Sequence, residues 1–387
     1  MMIARRIPVE TRLAASRITT APSRVKSAIS AKDDKDLDRF RRALLGWYDQ
    51  HCRDLPWRET RDPYRIWLSE IMLQQTRVAA VLDHYRIFLE RFPNVQALAA
   101  ATEEAVLAAW SGLGYYRRAR MMHQCARQIA EQHGGRFPQD SASLRALPGI
   151  GRYTAAAIAS IAFAEPVAVV DGNVERVLQR LIRKKTTGIN LTTPQTWQHA
   201  QGLLAENRPG DFNQAMMELG ATVCLPREPR CPACPVRKWC ATQGEHPRNE
   251  PPSRQNKKQI WCALEWRNGK GRSDGNGRAH GKANGNGRRQ IRLVQRPKKA
   301  SLMPGMWELP QSSEPPRAVP ATTHWRTFRH SITVTDYTVH VFEPACGRDA
   351  APLPHKTANG KWIAIDRLPQ LPITGLTRKI LRAGGII

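Results

Sequence analysis

The sequence predicts a multidomain fold of 387 residues, an all-α part followed by an α+β part, with room for two or three separate cores. Three observations predict it. From about Asp36 to Gln243 apolar residues recur at helical spacing between short polar breaks; Tyr64, Trp67, Leu68, Ile71 and Met72 form one such stripe. Beyond Glu245–Asn256, a polar stretch with three prolines, the periodicity changes to that of strands. Near the end of the helical part stand Cys224, Cys231, Cys234 and Cys240, spaced C-x6-C-x2-C-x5-C. The boundaries so assigned are a disordered basic arm over 1–35 and a helical part over 36–245. The latter divides into a six-helix portion at about 55–165 and a cysteine-bearing portion at about 36–54 and 166–245. A linker over 246–258 leads to the C-terminal part over 259–387, which carries a flexible basic insertion over 267–289.

Lys and Arg number 60 against 33 Asp and Glu, a formal charge of +27. That excess calls for a polyanionic partner, nucleic acid first and an anionic membrane surface second. No apolar run approaches a membrane span and no basic amphipathic helix dominates, so nucleic acid is favoured. The arm is rich in Arg, Ser and Thr and poor in acids before Asp33, a composition shared by transit peptides and by plain basic arms.

Element by element, a helix is expected over Tyr64–Arg77. On it Glu70, Gln74 and Arg77 form an i, i+4, i+7 row beside the buried stripe, hemmed by Trp57, Trp67 and Met72. A glutamate there is either a solvated face residue or the wall of a cleft. Ser143–Phe163 reads as helix, Leu147-Pro148-Gly149-Ile150-Gly151, helix. The two glycines let backbone N–H groups approach a phosphate at a helix N-terminus, and in so basic a chain the hairpin reads as DNA-binding. The apolar run Pro166–Val170 then ends at Asp171-Gly172-Asn173 before a helix over Val174–Leu181. Asp171 suits an N-cap, and equally a carboxylate oriented by Asn173 to steady a developing cation. A helix opens at Asp211 as N-cap and stops at Gly220. In the C-terminal part strands are expected over Ile260–Trp266, Gln290–Gln295 and Thr333–Phe342, with a closing helix over Thr377–Arg382 capped by Thr377.

The four cysteines point to a metal centre. Only one CxxC knuckle is present, Cys231-Pro-Ala-Cys234, so the unequal loops suit an iron–sulfur cube, 4Fe–4S, better than a zinc ribbon, although zinc stays open on spacing alone. Paired disulfides are disfavoured, because Cys52, Cys125, Cys262 and Cys346 are scattered as in a reducing compartment. Arg227, Arg230, Arg237 and Lys238 lie between the ligands, placed to clamp phosphates.

Helix–LPGIG–helix, then Val170-Asp171-Gly172-Asn173, then the cysteine quartet, resembles the helix-hairpin-helix DNA glycosylase superfamily with its iron–sulfur loop. Trp67-Leu68-Ser69-Glu70-Ile71-Met72-Leu73-Gln74-Gln75-Thr76, Gly112-Leu113-Gly114-Tyr115-Tyr116 and Phe212-Asn213-Gln214-Ala215-Met216-Met217 resemble its adenine DNA glycosylase (MutY) branch. The resemblance covers roughly Asp36–Gln243. It continues more weakly where Gln295-Arg296-Pro297 and Gly305-Met306-Trp307-Glu308-Leu309-Pro310 are similar to that family's Nudix-like module.

The resemblance implies a fold, an all-α glycosylase core with an iron–sulfur subdomain and a Nudix-like α+β domain, and an activity. That activity is release of adenine mispaired with 8-oxoguanine or guanine in double-stranded DNA, by a monomer. It implies Glu70 as general acid, Asp171 as stabiliser of the oxocarbenium sugar, Tyr153 and Asn173 as their tuning partners, and Gln75 and Tyr115 as wedges in the base stack. Bifunctional relatives carry a lysine after the hairpin, where this chain has Tyr153, so strand cleavage is not expected. The glutamate-rich Nudix signature is absent, which argues against pyrophosphate hydrolysis. The family's phenylalanine-serine-histidine loop for 8-oxoguanine is matched by Phe328-Arg329-His330, and Arg329 can only donate where a serine also accepts. Two alternatives stand beside this reading, a thymine mismatch glycosylase of the same superfamily and a non-catalytic iron–sulfur DNA-binding protein. The site would be cytoplasmic with the nucleoid in a bacterium, and mitochondrial or nuclear in a eukaryote.

Overall fold

The computed structural model describes residues 34–182, 191–243, 256–268, 289–315, 324–332, 334–342 and 360–387. Most of the basic arm, most of the linker and the basic insertion, and Cys346, lie outside the described residues. Eleven helices among those described make up the first part. They are α1 (Asp34–His51), α2 (Pro63–Leu73), α3 (Val78–Arg91), α4 (Val95–Ala100), α5 (Glu103–Ala109), α6 (Arg117–Gln132), α7 (Ser141–Arg145), α8 (Arg152–Phe163), α9 (Gly172–Ile182), α10 (Thr193–Leu203) and α11 (Pro209–Thr222). None of the described helices is long and apolar enough to cross a membrane.

The helices bury two apolar clusters. One gathers residues between Leu55 and Val169, including Trp67, Phe88, Trp110 and Met122. The other joins α1 to α9–α11 through Phe40, Leu44, Leu178 and Phe212. The α8 run Ala155–Ala159 is buried throughout, and its small side chains let α2 lie close against it on one side and α11 on another. At the α11 crossing a Cβ on Gly210 would stand 2.7 Å from the Ser160 carbonyl oxygen, so the helices approach to backbone contact. Buried Asn213 bonds there in three directions. Its Nδ2 donates to Ser160 Oγ and to the Val167 carbonyl, both at 2.9 Å, and its Oδ1 accepts from Val169 N at 3.1 Å. This fixes the extended segment that delivers Asp171.

Several helix limits differ from expectation. α2 starts at Pro63, capped by the Asp62 carboxylate, and stops at Leu73; Gln75 follows at φ 56°. Arg77 is therefore off the helix, and the Glu70–Gln74–Arg77 row is not continuous. α11 begins two residues before Asp211, whose carboxylate accepts from Arg208 Nε at 2.8 Å instead of capping. Gly220 does not end α11. Its Cβ would meet that of Asn173 at 2.6 Å, so the missing side chain serves a close approach. α1 begins at Asp34, inside the segment read as arm.

The C-terminal part contains β1 (Asn256–Ala263), β2 (Trp266–Asn268), β3 (Arg289–Gln295), β4 (Trp307–Glu308), β5 (Gln311–Ser312), β6 (His324–Ile332), β7 (Thr335–Phe342), β8 (Gly360–Ala364) and α12 (Gly375–Ala383). One sheet has the order β5-β1-β7-β6, with β1 and β7 parallel; in the other, β3 pairs with β2, β4 and β8. Their shared core holds Ile291, Leu293, Val339 and Val341 against Leu376, Ile380 and Leu381 of α12. β1 starts within the segment read as linker, and the strand expected over Ile260–Trp266 breaks at Leu264 and Glu265 into β1 and β2. Thr374, not Thr377, caps α12.

The two parts are tightly joined. Met306 of the C-terminal part is fully buried in the first helical cluster. Ser111 Oγ donates to the Ile373 carbonyl at 2.6 Å and Tyr116 Oη to the same oxygen at 3.2 Å, while Arg378 Nε donates to Ser111 Oγ at 3.1 Å. Asn213→Ala should strip Ser160, Val167 and Val169 of their partners and lower unfolding stability by about 2 kcal/mol or more, read from denaturant melts. A loss under about 1 kcal/mol would mean that these groups find other partners.

Candidate active site

A cleft of about 1600 Å³ runs between the helices and the C-terminal sheets. Glu70 projects into it from α2 and is buried, at 7% exposure. Tyr153, in the first turn of α8, donates its hydroxyl to Glu70 Oε2 at 2.6 Å. Burial is the main force on the Glu70 carboxyl and the nearby Asp171 charge adds to it. The Tyr153 hydrogen bond and Arg58 oppose them, and the net effect pushes the carboxyl up to about 7. The Tyr153 hydroxyl is driven well above its ordinary value by burial and by the same two carboxylates.

Asp171 lines the same cleft and is half-buried where Glu70 is buried. Oδ1 accepts from Val174 N at 2.7 Å and Oδ2 from Asn173 Nδ2 at 2.9 Å, at the N-terminus of α9. Both carboxylate oxygens are thereby fixed in orientation. Asn173 is held in turn by Arg176, whose Nη2 donates to Asn173 Oδ1 at 2.9 Å and to the Gly220 carbonyl at 2.8 Å. Arg176 Nε donates to the Cys224 carbonyl at 2.9 Å, which ties the Asp171 turn to the cysteine loop.

A third carboxylate was not anticipated. Glu218 is fully buried on α11 at the cleft wall and accepts from Arg53 at 2.7 and 2.6 Å and from Arg58 at 2.7 Å. Burial works against its charge, but the hydrogen bonds and charges of Arg53 and Arg58 prevail and hold the carboxyl at about 2. Arg53 and Arg58 lie some 160 residues from Glu218, and sequence spacing carries no signal for such a pairing.

Gln75 and Tyr115 line the same cleft, both exposed and both in the left-handed region, at φ 56° and 48°. In the hairpin Gly149 has φ 75°, and its Cβ would meet Met121 Cβ at 2.7 Å; Gly151 occupies the N-cap of α8 with open space before it. His330 also lines the cleft, with Ser331, a residue the sequence did not single out. Phe328 does not. It sits at 8% exposure in the core of the C-terminal part, two residues before His330 on the same face of β6, and packs with Val339 and Val341 behind the part of that face that reaches the cleft. The Arg329 carbonyl accepts from Lys379 Nζ at 2.8 Å.

Cys224, Cys231, Cys234 and Cys240 surround one small pocket beyond α9 and α11. Among the described residues no three His, Cys, Asp or Glu side chains converge closely enough for a single metal ion. Buried Arg180, unremarked in the sequence, sets Nη1 3.2 Å from Cys224 Sγ while also donating to the Leu225 and Pro226 carbonyls. Arg227, Arg230, Arg237 and Lys238 are exposed around the pocket, Lys238 lying 3.9 Å over the Trp239 ring.

A family model described as HhH-GPD superfamily base excision DNA repair protein matches residues 68–199. The adenine DNA glycosylase of Rattus norvegicus is 49% identical over 221 residues, covering 54% of this chain and 42% of that protein. The chain thus spans less than half the length of this relative. The adenine DNA glycosylase of Mycobacterium tuberculosis is 43% identical over 215 residues, covering 54% of this chain and 70% of that protein. A solved structure of a thermostable thymine-DNA glycosylase aligns with a TM-score of 0.50 at 30% identity, covering 54% of this chain and 97% of the other. With the extent of identity to the mycobacterial relative, and with its matching helical core, the chain belongs to the adenine DNA glycosylase family within the HhH-GPD superfamily.

Proposed function

We propose that the protein is a monofunctional adenine DNA glycosylase, acting on adenine opposite 8-oxoguanine, and more weakly opposite guanine, in double-stranded DNA. The observation that carries this is the pair of carboxyl groups, Glu70 and Asp171, held in unlike environments in the lining of one cleft. Hydrolysis of a base from its sugar needs one protonated and one ionised carboxyl at once. Glu70, dry and bonded to Tyr153, keeps its proton near neutrality and gives it to N7 of an adenine turned out of the stack. Asp171, an acceptor at both oxygens, faces the sugar as positive charge develops there. Water then completes the displacement, with the Glu70 carboxylate as base. No lysine is present among the described residues that line the cleft, so no amine stands ready for the Schiff base that strand cleavage requires.

Recognition divides between the two parts. Gln75 and Tyr115 enter the stack, and the Gly149–Gly151 hairpin with Arg237 and Lys238 takes phosphates. The C-terminal part, of the Nudix-like kind, faces the opposite base through His330 and Ser331 in place of a contiguous phenylalanine-serine-histidine loop. Cys224, Cys231, Cys234 and Cys240 fit a 4Fe–4S cluster, since they share one pocket whose wall includes a buried guanidinium at a cysteine sulfur, suited to an anionic group. Bound there, the cluster supplies rigid cross-linking of the loop; the excision steps use only the side chains of the cleft.

Single-turnover assays on duplexes with A opposite 8-oxoguanine, A opposite G and T opposite G should show release of adenine from the first two, and release of thymine alone would overturn the assignment. The excision rate should fall as pH rises through about 7, where Glu70 loses its proton. Glu70→Gln should lower the rate by about 10²–10⁴-fold with duplex binding kept, and a flat pH profile would remove Glu70 as the acid. Cys234→Ser should reduce iron content and DNA affinity before it slows excision; a variant that loses iron yet binds duplex normally would refute a clamp organised by the cysteine loop.

A further inference from the structure

The two exposed side chains at the cleft mouth, Gln75 and Tyr115, come from segments 40 residues apart, one leaving α2 and the other entering α6. Each holds a left-handed backbone conformation, a state that costs a non-glycine residue on the order of 1–2 kcal/mol and persists only where its surroundings impose it. The same guanidinium reaches both segments. From the first turn of α6, Arg118 Nη1 donates to the carbonyls of Ile71 at 2.7 Å, Met72 at 3.0 Å and Gln74 at 2.6 Å, the open C-terminal end of α2. Its Nη2 donates to Thr76 Oγ1 at 3.2 Å, next to Gln75, and to the carbonyls of Leu113 and Gly114, both at 3.4 Å, just before Tyr115. The guanidinium also lies 5.4 Å from the Trp110 ring centroid and 5.5 Å from that of Tyr115.

We propose that Arg118 is the positioning residue that makes Gln75 and Tyr115 a single rigid wedge and registers that wedge against Glu70 on the same helix end. This rests on the base-extruding reading given above. A helix cap alone would account for the α2 carbonyls, but not for the reach to Thr76, Leu113 and Gly114 or for the stacking on Tyr115, whose ring stays 48% exposed. The planar fork is what allows the span. A lysine at this position keeps the charge at the end of α2, but a single ammonium cannot reach both segments. Burial lowers the Arg118 guanidinium to about 10, so it remains a cation at neutral pH. Wedging has to offset an unstacking cost of a few kcal/mol, and a wedge whose halves move independently transmits little of that force.

The test uses the full chain with Arg118→Lys and two readouts. In a duplex with 2-aminopurine at the adenine position, the wild type should raise fluorescence on binding and the variant should bind while raising it far less. Excision by the variant should fall about 100-fold on a fully stacked duplex, and should largely recover when abasic analogues flank the adenine. In a Tyr115→Ala background Arg118→Lys should have little further effect, because it acts through Tyr115. Thr76→Val, which leaves α2 capped, should show the same substrate-dependent loss in smaller measure and serves if Arg118→Lys does not fold. Unchanged fluorescence, or equal loss on stacked and unstacked duplexes, overturns the proposal. If the wild type raises fluorescence but releases no adenine, the excision reading fails and Arg118 is judged on fluorescence alone.

Discussion

The hydrogen bond from Tyr153 to Glu70 sets the conditions for the rest of the molecule. It is short, at 2.6 Å, it holds a buried carboxyl, and it joins the helix that carries Glu70 to the helix that follows the hairpin. A carboxyl in so dry a place would be forced neutral over a wide range without a donor, and would be an ordinary acid if exposed. The alanine face of α8 makes this intermediate state reachable, because only small side chains let α2 come near enough for the hydroxyl to meet the carboxyl. The hairpin glycines belong to the same arrangement, since the turn before α8 fixes where Tyr153 begins.

Around that bond the protein places arginines of graded burial, from exposed Arg53 through half-buried Arg58 and Arg176 to buried Arg180. Arg53 and Arg58 neutralise Glu218, Arg176 braces Asn173 against the cysteine loop, and Arg180 faces Cys224. Each is partnered by carboxylates, carbonyls or sulfur, and for buried Arg180 such partners offset the cost of taking a cation out of water. The cleft can thus carry arginines beside Glu70 and Asp171 while much of their charge is met by nearby acceptors.

What was legible in the sequence was whatever depends on local pattern. Glu70, Tyr153, Asp171 and Asn173 stand in short motifs, and the structure brings them to one cleft. The four cysteines declared themselves by spacing and share a pocket. What was illegible depends on distant chain. Glu218 follows the recognisable run ending at Met217, yet its meaning comes from arginines that sit between α1 and α2. Gly220 reads as a helix stop because a glycine needed for helix–helix contact looks the same in one dimension as one needed for a cap. Phe328 reads as a recognition residue by its neighbours in sequence, yet it shares a strand face with His330 and differs only in lying deeper in the core, a matter of tertiary packing. The early end of α2 has no local signal, since Gln75 is an ordinary helix former held in a left-handed turn by tertiary contacts.

Met306 gives the architecture a further property. A side chain from beyond the helices completes their apolar interior, while Ser111 and Tyr116 direct their hydroxyls at a single carbonyl on the far side of the junction. The two parts are therefore not beads on a string that recombination could exchange freely. A replacement C-terminal part would have to bring a plug of methionine size and an acceptor where Ile373 offers one, or leave a hollow in the helices and two buried hydroxyls unmatched. The seam thus ties the packing of each part to the other.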